Sequence, residues 1–131
     1  MSEPSRPMKP GHQGLKHVSH AFVYTVRGLD AAWRNESAFR QECVLALLLL
    51  PCAFLLGESL AQTALLVAVL VLVLITELLN SAIEAVVDRI STEHSELSGQ
   101  AKDMGSAAVA LSLLLVPLTW GLVAAQRFLA G

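Results

Sequence analysis

Residues 60–88 read LAQTALLVAVLVLVLITELLNSAIEAVVD, and this stretch decides the fold. From Leu60 to Thr76 the chain is almost purely aliphatic and is long enough to cross a hydrocarbon core of about 30 Å. The first carboxylate, Glu77, comes directly after that run, so it lies near the boundary between hydrocarbon and water. Because an ionised carboxylate is costly at that depth, we expect Glu77 to have a function.

The carboxylates that follow form one stripe. Glu77, Asn80 and Glu84 recur at i, i+3 and i+7, while Ser81 and Asp88 fall at i+4 and i+11. A period of about 3.6 residues places all five on one helix face. Residue types alone leave three interpretations open: phosphoryl transfer to a lipid, an ion or proton pathway, and a structural polar network.

The composition indicates an integral membrane protein. It has 131 residues, of which 54% are hydrophobic and 15% charged, and the apolar residues are gathered into long runs. We expect an all-α membrane protein with three transmembrane helices, at about 38–58, 60–80 and 104–126. A net charge of −2, without a basic surface studded with aromatic residues, argues against a nucleic-acid partner.

An amphipathic helix at about 15–33 should precede the spans and lie on the membrane surface, because its apolar positions follow helical spacing. Tyr24 and Trp33 suit the headgroup region, where an aromatic ring buries its body and keeps a polar atom wet. The alternative is an ordinary bundle helix with one apolar face. Residues 1–14, with three prolines and two glycines, are expected to be a disordered tail and not a signal peptide.

The distribution of Lys and Arg predicts the orientation. The first connection, residues 57–61, carries only Glu58, whereas the segment before the first span carries six cations: Arg6, Lys9, Lys16, Arg27, Arg34 and Arg40. The amino terminus should therefore be cytoplasmic, and three spans then leave the carboxyl terminus outside. Arg127, near the far end, is the residue that argues against this orientation.

Two local interactions are expected at the membrane surface. Glu36 and Arg40 stand at i and i+4, which favours a salt bridge. Ser98 is expected to cap the third transmembrane helix, with Lys102 and Asp103 in its first turn. Backbone N–H groups at such a helix end, with a lysine beside them, suit a phosphate.

Common nucleotide-binding and catalytic motifs are absent from the sequence. It contains no Gly-rich phosphate loop ending in Lys-Ser or Lys-Thr, no kinase-type catalytic loop and no HExxH motif. Converging carboxylates, an amide, a lysine and a helix end are nevertheless the groups that magnesium and phosphate chemistry requires.

Three runs of sequence closely resemble the prokaryotic diacylglycerol kinase family. They are Asn35-Glu36-Ser37-Ala38-Phe39-Arg40-Gln41-Glu42, Glu77-Leu78-Leu79-Asn80-Ser81-Ala82-Ile83-Glu84 and Ala101-Lys102-Asp103-Met104-Gly105-Ser106-Ala107-Ala108-Val109. The resemblance covers about Gly28–Val116. It implies a multi-pass enzyme of the bacterial inner membrane, with a single kinase domain at 15–131, that transfers the γ-phosphate of MgATP to diacylglycerol.

The resemblance also implies a homotrimeric helical bundle with shared active sites. Independently of the family, three spans and a surface helix are too few to enclose both a nucleotide and a lipid. We therefore expect Glu36 and the 77–84 segment of neighbouring chains to meet at each site, with small residues such as Ala107 and Ala108 allowing close helix packing.

Roles for individual residues follow from the resemblance. Glu77 matches the general base, Asn80 a position that supports it, and Glu36 and Glu84 match ligands of Mg²⁺ and ATP. Lys102 with Asp103 matches a nucleotide-binding pair. The family pattern further implies nucleotide contacts from Tyr24, Glu93, His94 and Ser95, and lipid contacts from Trp33, Glu42, Glu77 and Ser106.

Three rival functions remain at this stage. A polyprenol kinase, for example one acting on undecaprenol, would share the chemistry and differ in its lipid groove. A small ion or drug transporter would use Glu77 as an intramembrane coupling acid and would act without ATP. A purely structural membrane subunit would tolerate the loss of Asn80 or Lys102.

Overall fold

The structure, a computed structural model, describes residues 14–90 and 95–130. This part of the chain forms four α-helices: α1 (Leu15–Asn35), α2 (Ser37–Leu56), α3 (Leu60–Ile90) and α4 (Glu96–Leu129). Of the tail expected at residues 1–14, residues 1–13 lie outside the described residues, as do the loop residues Glu93 and His94.

Helix α1 has the amphipathic pattern expected of it. Its apolar side chains are exposed, including Phe22 at 69%, and Ala32 is its one buried residue. The apolar face is therefore left for contacts outside this chain. The helix continues two residues beyond the predicted end at residue 33.

Three helices are long and apolar enough to cross a membrane, as predicted: α2, α3 and α4. Helix α2 continues through Pro51 and α4 through Pro117. Helix α3 runs ten residues past the predicted span end at residue 80, so the carboxylate stripe stands on the same continuous helix as the membrane span. Helix α4 likewise begins before the predicted residue 104.

The turn between α1 and α2 corrects one expectation. Glu36 is the only residue between these helices and has an extended backbone, with φ −119° and ψ 105°. Arg40 Nη1 donates hydrogen bonds to the carbonyls of Trp33 at 2.7 Å and Arg34 at 3.2 Å. The predicted Glu36–Arg40 salt bridge is wrong, since the guanidinium instead binds carbonyls at the end of α1, which lack partners within their helix.

Helix α3 lies between α2 and α4 and packs most extensively against α4. Leu66 is fully buried between Ala53 of α2 and Val123 of α4. Trp120 Nε1 donates a hydrogen bond to the Leu66 carbonyl at 3.3 Å. These contacts fix the half of the bundle that is remote from the carboxylates.

Arg127 closes that remote end. It donates hydrogen bonds to the carbonyls of Leu55 and Leu56 in the last turn of α2, and its Nε is 4.0 Å from Glu58. Backbone carbonyls at a helix end have no partner within the helix, and a guanidinium there also interacts favourably with the helix dipole. Arg127, the residue that argues against the predicted orientation, thus has a local structural role.

The start of α4 corrects a second expectation. Ser95, not Ser98, is the amino-terminal cap, and its side chain accepts a hydrogen bond from the Ser98 N–H at 3.1 Å. Glu96 occupies the first turn. Lys102 and Asp103 consequently lie in the second and third turns and not at the helix end.

Candidate functional site

The polar stripe of α3 begins with a buried carboxylate. Glu77 is 7% exposed and follows directly on the apolar part of α3, while Asn80, Ser81 and Glu84 are partly buried. Asp88, one turn beyond Glu84, is exposed. The stripe therefore leads from a dry, membrane-level carboxylate to a solvated end.

Helix α2 brings a second carboxylate to the buried one. The carboxyl groups of Glu42 and Glu77 lie close enough to interact directly, and Glu42 Oε2 is buried without a hydrogen-bond partner among the described residues. The packing of α2 on α3 therefore places two carboxylates side by side at the membrane-level end of the stripe.

Asn80 orients the next carboxylate of the stripe. Its Nδ2 donates a hydrogen bond to Glu84 Oε1 at 3.3 Å. Its Oδ1 is buried, faces Gly105 of α4 and has no hydrogen-bond partner in the described part of the chain. Asn80 thus connects the α3–α4 interface to Glu84 as well as standing one turn from Glu77.

An ion pair joins α3 to α4 at the solvated end of the stripe. Lys102 Nζ is 2.6 Å from Asp88 Oδ1, with 42% and 65% of the two side chains exposed. Asp88, the last residue of the stripe, therefore holds Lys102 next to the stripe. The sequence had indicated no role for Asp88. The Lys102 ammonium has three donors, so one bond to Asp88 leaves others for a phosphate.

Glu36 lies beside the stripe, over a neighbouring face of α3. It lines a groove of about 490 Å³ between α1 and α3, together with Ser81 and a set of small residues: Gly28, Ala31, Ala32, Ala82 and Ala85. Glu84 is not part of this lining. Within one chain, Glu36 faces the Ser81 side of α3, whereas Glu84 faces Asn80.

The carboxylates of the site suit magnesium only if the substrate and water supply its other ligands. Across residues 14–90 and 95–130, no group of three or more His, Cys, Asp or Glu side chains could hold a metal ion. Magnesium is usually bound by one or two carboxylates, with substrate phosphates and water completing its shell. Glu84, held by Asn80, fits that use, and a complete protein cage is not required.

The remaining expected site residues are spread over the surface of the single chain. Tyr24 and Trp33 on α1 are 64% and 46% exposed, and Tyr24 stacks loosely on His20 with ring centroids 6.4 Å apart. Asp103 and Ser106 on α4 are exposed, as is the cap residue Ser95. The single chain brings together the α3 stripe with Glu42, Lys102 and Gly105, and it leaves the other residues open to contacts from outside.

Two features of the site were missed by sequence reasoning. The pairing of Glu42 with Glu77 depends on how α2 packs against α3, and no spacing within either helix indicates it. Gly105, which stands in the conspicuous run MGSAA, could have been noticed, since a glycine inside a long helix usually has a packing reason.

The comparisons with known proteins agree in pointing to one family. A sequence model described as prokaryotic diacylglycerol kinase matches residues 23–124. The diacylglycerol kinase of Haemophilus influenzae is 50% identical over 108 residues, which are 82% of this chain and 92% of that protein. The diacylglycerol kinase of Pseudomonas aeruginosa is 50% identical over 113 residues, or 86% and 92% of the two chains. That of Escherichia coli (strain K12) is 48% identical over 115 residues, or 88% and 94%.

Proposed function

Because this chain belongs to the prokaryotic diacylglycerol kinase family and is a diacylglycerol kinase, we propose that its phosphate donor is MgATP and its product phosphatidic acid. The γ-phosphate passes to the primary hydroxyl of diacylglycerol at the cytoplasmic face of the membrane. Diacylglycerol enters sideways from the bilayer, and its hydroxyl reaches Glu77 at the end of the apolar part of α3.

The observation that carries the proposal is Glu77. A lipid hydroxyl must lose a proton as it attacks phosphorus, and a carboxylate of α3 at membrane level, 7% exposed, stands where a lipid headgroup can reach. Glu42 of α2 lies beside it and brings a second carboxylate to the same position. Water has little access to Glu77, so hydrolysis of ATP competes poorly.

Glu84 and Glu36 are proposed as the carboxylates that hold the metal. The hydrogen bond from Asn80 fixes the orientation of the Glu84 carboxyl. When bound, magnesium supplies charge neutralisation on the phosphate oxygens. Since Glu36 and Glu84 face different sides within one chain, we propose that Glu36 of one chain completes the set with Glu84 of another.

The nucleotide is proposed to lie along the solvated end of the stripe. Lys102 offsets phosphate charge there, Asp103 lies next to it, and Tyr24 and Ser95 contact the nucleotide from the flanking elements. Glu93 and His94 are proposed for the same surface from the loop before α4. On the lipid side, Trp33, Glu42 and Ser106 border the diacylglycerol headgroup.

We also propose a homotrimer with shared sites, and the exposed apolar faces of the helices support it. Only 11% of the apolar part of α2 and of α4 is buried within one chain, against 28% of that of α3. These apolar faces are available to lipid and to other copies. We propose a multi-pass protein of the bacterial inner membrane with a cytoplasmic amino terminus, because Lys and Arg are concentrated before α2.

Phosphate transfer from labelled MgATP in mixed micelles tests the proposal. Purified protein is supplied with diacylglycerol, undecaprenol or no added lipid, and Glu77→Gln is compared with Glu58→Gln, a carboxylate at the opposite end of the bundle. We expect labelled phosphatidic acid with diacylglycerol, loss of about 100- to 10,000-fold in kcat for Glu77→Gln, and near-normal turnover for Glu58→Gln.

Each departure from this pattern has a definite meaning. Near-normal turnover in Glu77→Gln would remove the base assignment. Preference for undecaprenol would move the protein to polyprenol phosphorylation, and absence of transfer to either lipid would contradict kinase activity. For the metal set, Glu84→Gln should raise the Mg²⁺ concentration needed for half-maximal activity, and an unchanged Mg²⁺ dependence would exclude Glu84 from the metal.

A further inference from the structure

Gly105 of α4 lies directly against the Asn80 side chain of α3. A Cβ atom built on it would overlap Asn80 Oδ1, and would lie 3.3 Å from Asn80 Cγ and 3.8 Å from Asn80 Cα. The other glycines of α4 differ in this respect, because a Cβ on Gly99 or Gly121 would meet nothing within 4 Å. The missing side chain is therefore needed at Gly105 and not along α4 in general.

The atom that occupies this space decides how the amide of Asn80 is turned. Asn80 Oδ1 is buried and lies against Gly105, while Nδ2 donates to Glu84 Oε1 at 3.3 Å. In the opposite orientation of the amide, its carbonyl oxygen would face the carboxylate of Glu84, and two acceptors would repel one another. The space at Gly105 accepts the carbonyl oxygen, so the amide nitrogen is directed at Glu84.

We propose that Gly105 is a positioning residue for the kinase reaction: its missing side chain lets the Asn80 amide seat its carbonyl oxygen against α4 and hold the Glu84 carboxylate in place. This inference rests on the proposed function for the role of Glu84 at the metal. Gly105 has no side chain and lies on α4, yet it would control the position of the proposed metal ligand Glu84 on α3.

A methyl group at position 105 must displace the Asn80 amide or push α4 away from α3. Either movement lengthens the hydrogen bond from Nδ2 to Glu84, which at 3.3 Å is already near the limit of such bonds. A displacement of about 1 Å in a group that positions the reacting atoms costs about 100-fold in rate. We expect a loss of that size in kcat for Gly105→Ala, together with a higher Mg²⁺ requirement.

The test compares Gly105→Ala with Gly121→Ala, which adds the same methyl group to the same helix in open space. Three quantities are measured on the full chain in mixed micelles: kcat at saturating lipid, the Mg²⁺ concentration for half-maximal activity, and Mn²⁺ binding followed by the paramagnetic resonance signal of free Mn²⁺. We expect Gly105→Ala to change all three and Gly121→Ala to change none. Equal effects of the two substitutions, or normal Mn²⁺ binding by Gly105→Ala, would overturn the proposal.

A double-mutant cycle with Asn80→Ala separates positioning from general packing. If Gly105 acts through the Asn80 amide, adding Gly105→Ala to Asn80→Ala costs nothing further in Mn²⁺ binding, because the overlapping atoms are gone. Additive losses would refute the inference.

Unfolding in denaturant provides a readout that does not depend on kinase activity. Gly105→Ala should lower stability in the Asn80 background and leave it unchanged in the Asn80→Ala background. If Gly105→Ala does not fold, recovery of folding in the double variant supports the inference, and failure of the double variant to fold overturns it. A wild-type chain without kinase activity would contradict the proposed function alone, while this stability comparison would still decide the contact.

Discussion

Next to Glu77, a hydrogen bond between two hydroxyl groups joins α3 to α4. Thr76 Oγ1 lies 2.8 Å from Ser112 Oγ, and Ser112 is 3% exposed. Each hydroxyl also lies within hydrogen-bond distance of a carbonyl of its own helix, Val73 O at 2.9 Å for Thr76 and Val109 O at 2.7 Å for Ser112. We predict that Thr76→Val and Ser112→Ala destabilise the protein because each removes the same interhelical hydrogen bond.

The magnitude follows from counting protons. Two hydroxyl protons serve three contacts, so only two of these hydrogen bonds form at any moment. When one hydroxyl is removed, the interhelical hydrogen bond is lost and the other hydroxyl donates to a carbonyl of its own helix. Such a bond within a helix adds little stability, so removing the second hydroxyl costs little further. The coupling energy is therefore that of one hydrogen bond between membrane helices, about 0.6 kcal/mol and at most about 1.7 kcal/mol.

The assay is reversible unfolding in mixed micelles on titration with sodium dodecyl sulfate, followed by circular dichroism. Each single variant should lose about 0.6 kcal/mol, and the double variant should lose nearly the same amount as either single variant. Thr25→Val is the control, because its hydroxyl donates to Ala21 of its own helix at 2.8 Å on an exposed face. Strictly additive losses in the double variant would refute the reasoning.

Three further predictions concern the two ends of the bundle. Lys102→Met should raise the KM for ATP roughly 10- to 100-fold. Stability should change little, since the ion pair with Asp88 is exposed. Loss of stability with an unchanged KM would show that the ion pair is only structural. Arg127→Gln should lower the free energy of unfolding by about 1–2 kcal/mol with kcat unchanged, because two carbonyls of α2 lose a charged donor; an equal loss in Arg127→Lys would show that charge alone is insufficient. Ser95→Ala should lower the free energy of unfolding by about 1 kcal/mol, and Ser95→Asp should retain the wild-type stability. Unchanged stability in Ser95→Ala would contradict the capping role of Ser95.

Much of the architecture could be read from local sequence because the bilayer leaves few alternatives. Within hydrocarbon, backbone groups must be paired inside each segment, so a long apolar run predicts a helix with little ambiguity. The stripe from Glu77 to Glu84 was predictable for a related reason, since helical periodicity acts within one element. The errors concern ends, where Ser95 caps α4 in place of Ser98 and Arg40 binds carbonyls in place of Glu36.

By itself, the sequence determined the helices, their membrane character, the stripe of carboxylates and the resemblance that led to a diacylglycerol kinase. These are properties of single segments, set by hydropathy and by a repeat of 3.6 residues. Only the tertiary structure decided that Glu42 meets Glu77, that Asp88 holds Lys102 and that Asn80 seats against Gly105. Each of those contacts joins two helices, and the rotation and depth of one helix against another depend on side-chain packing that neither helix encodes alone.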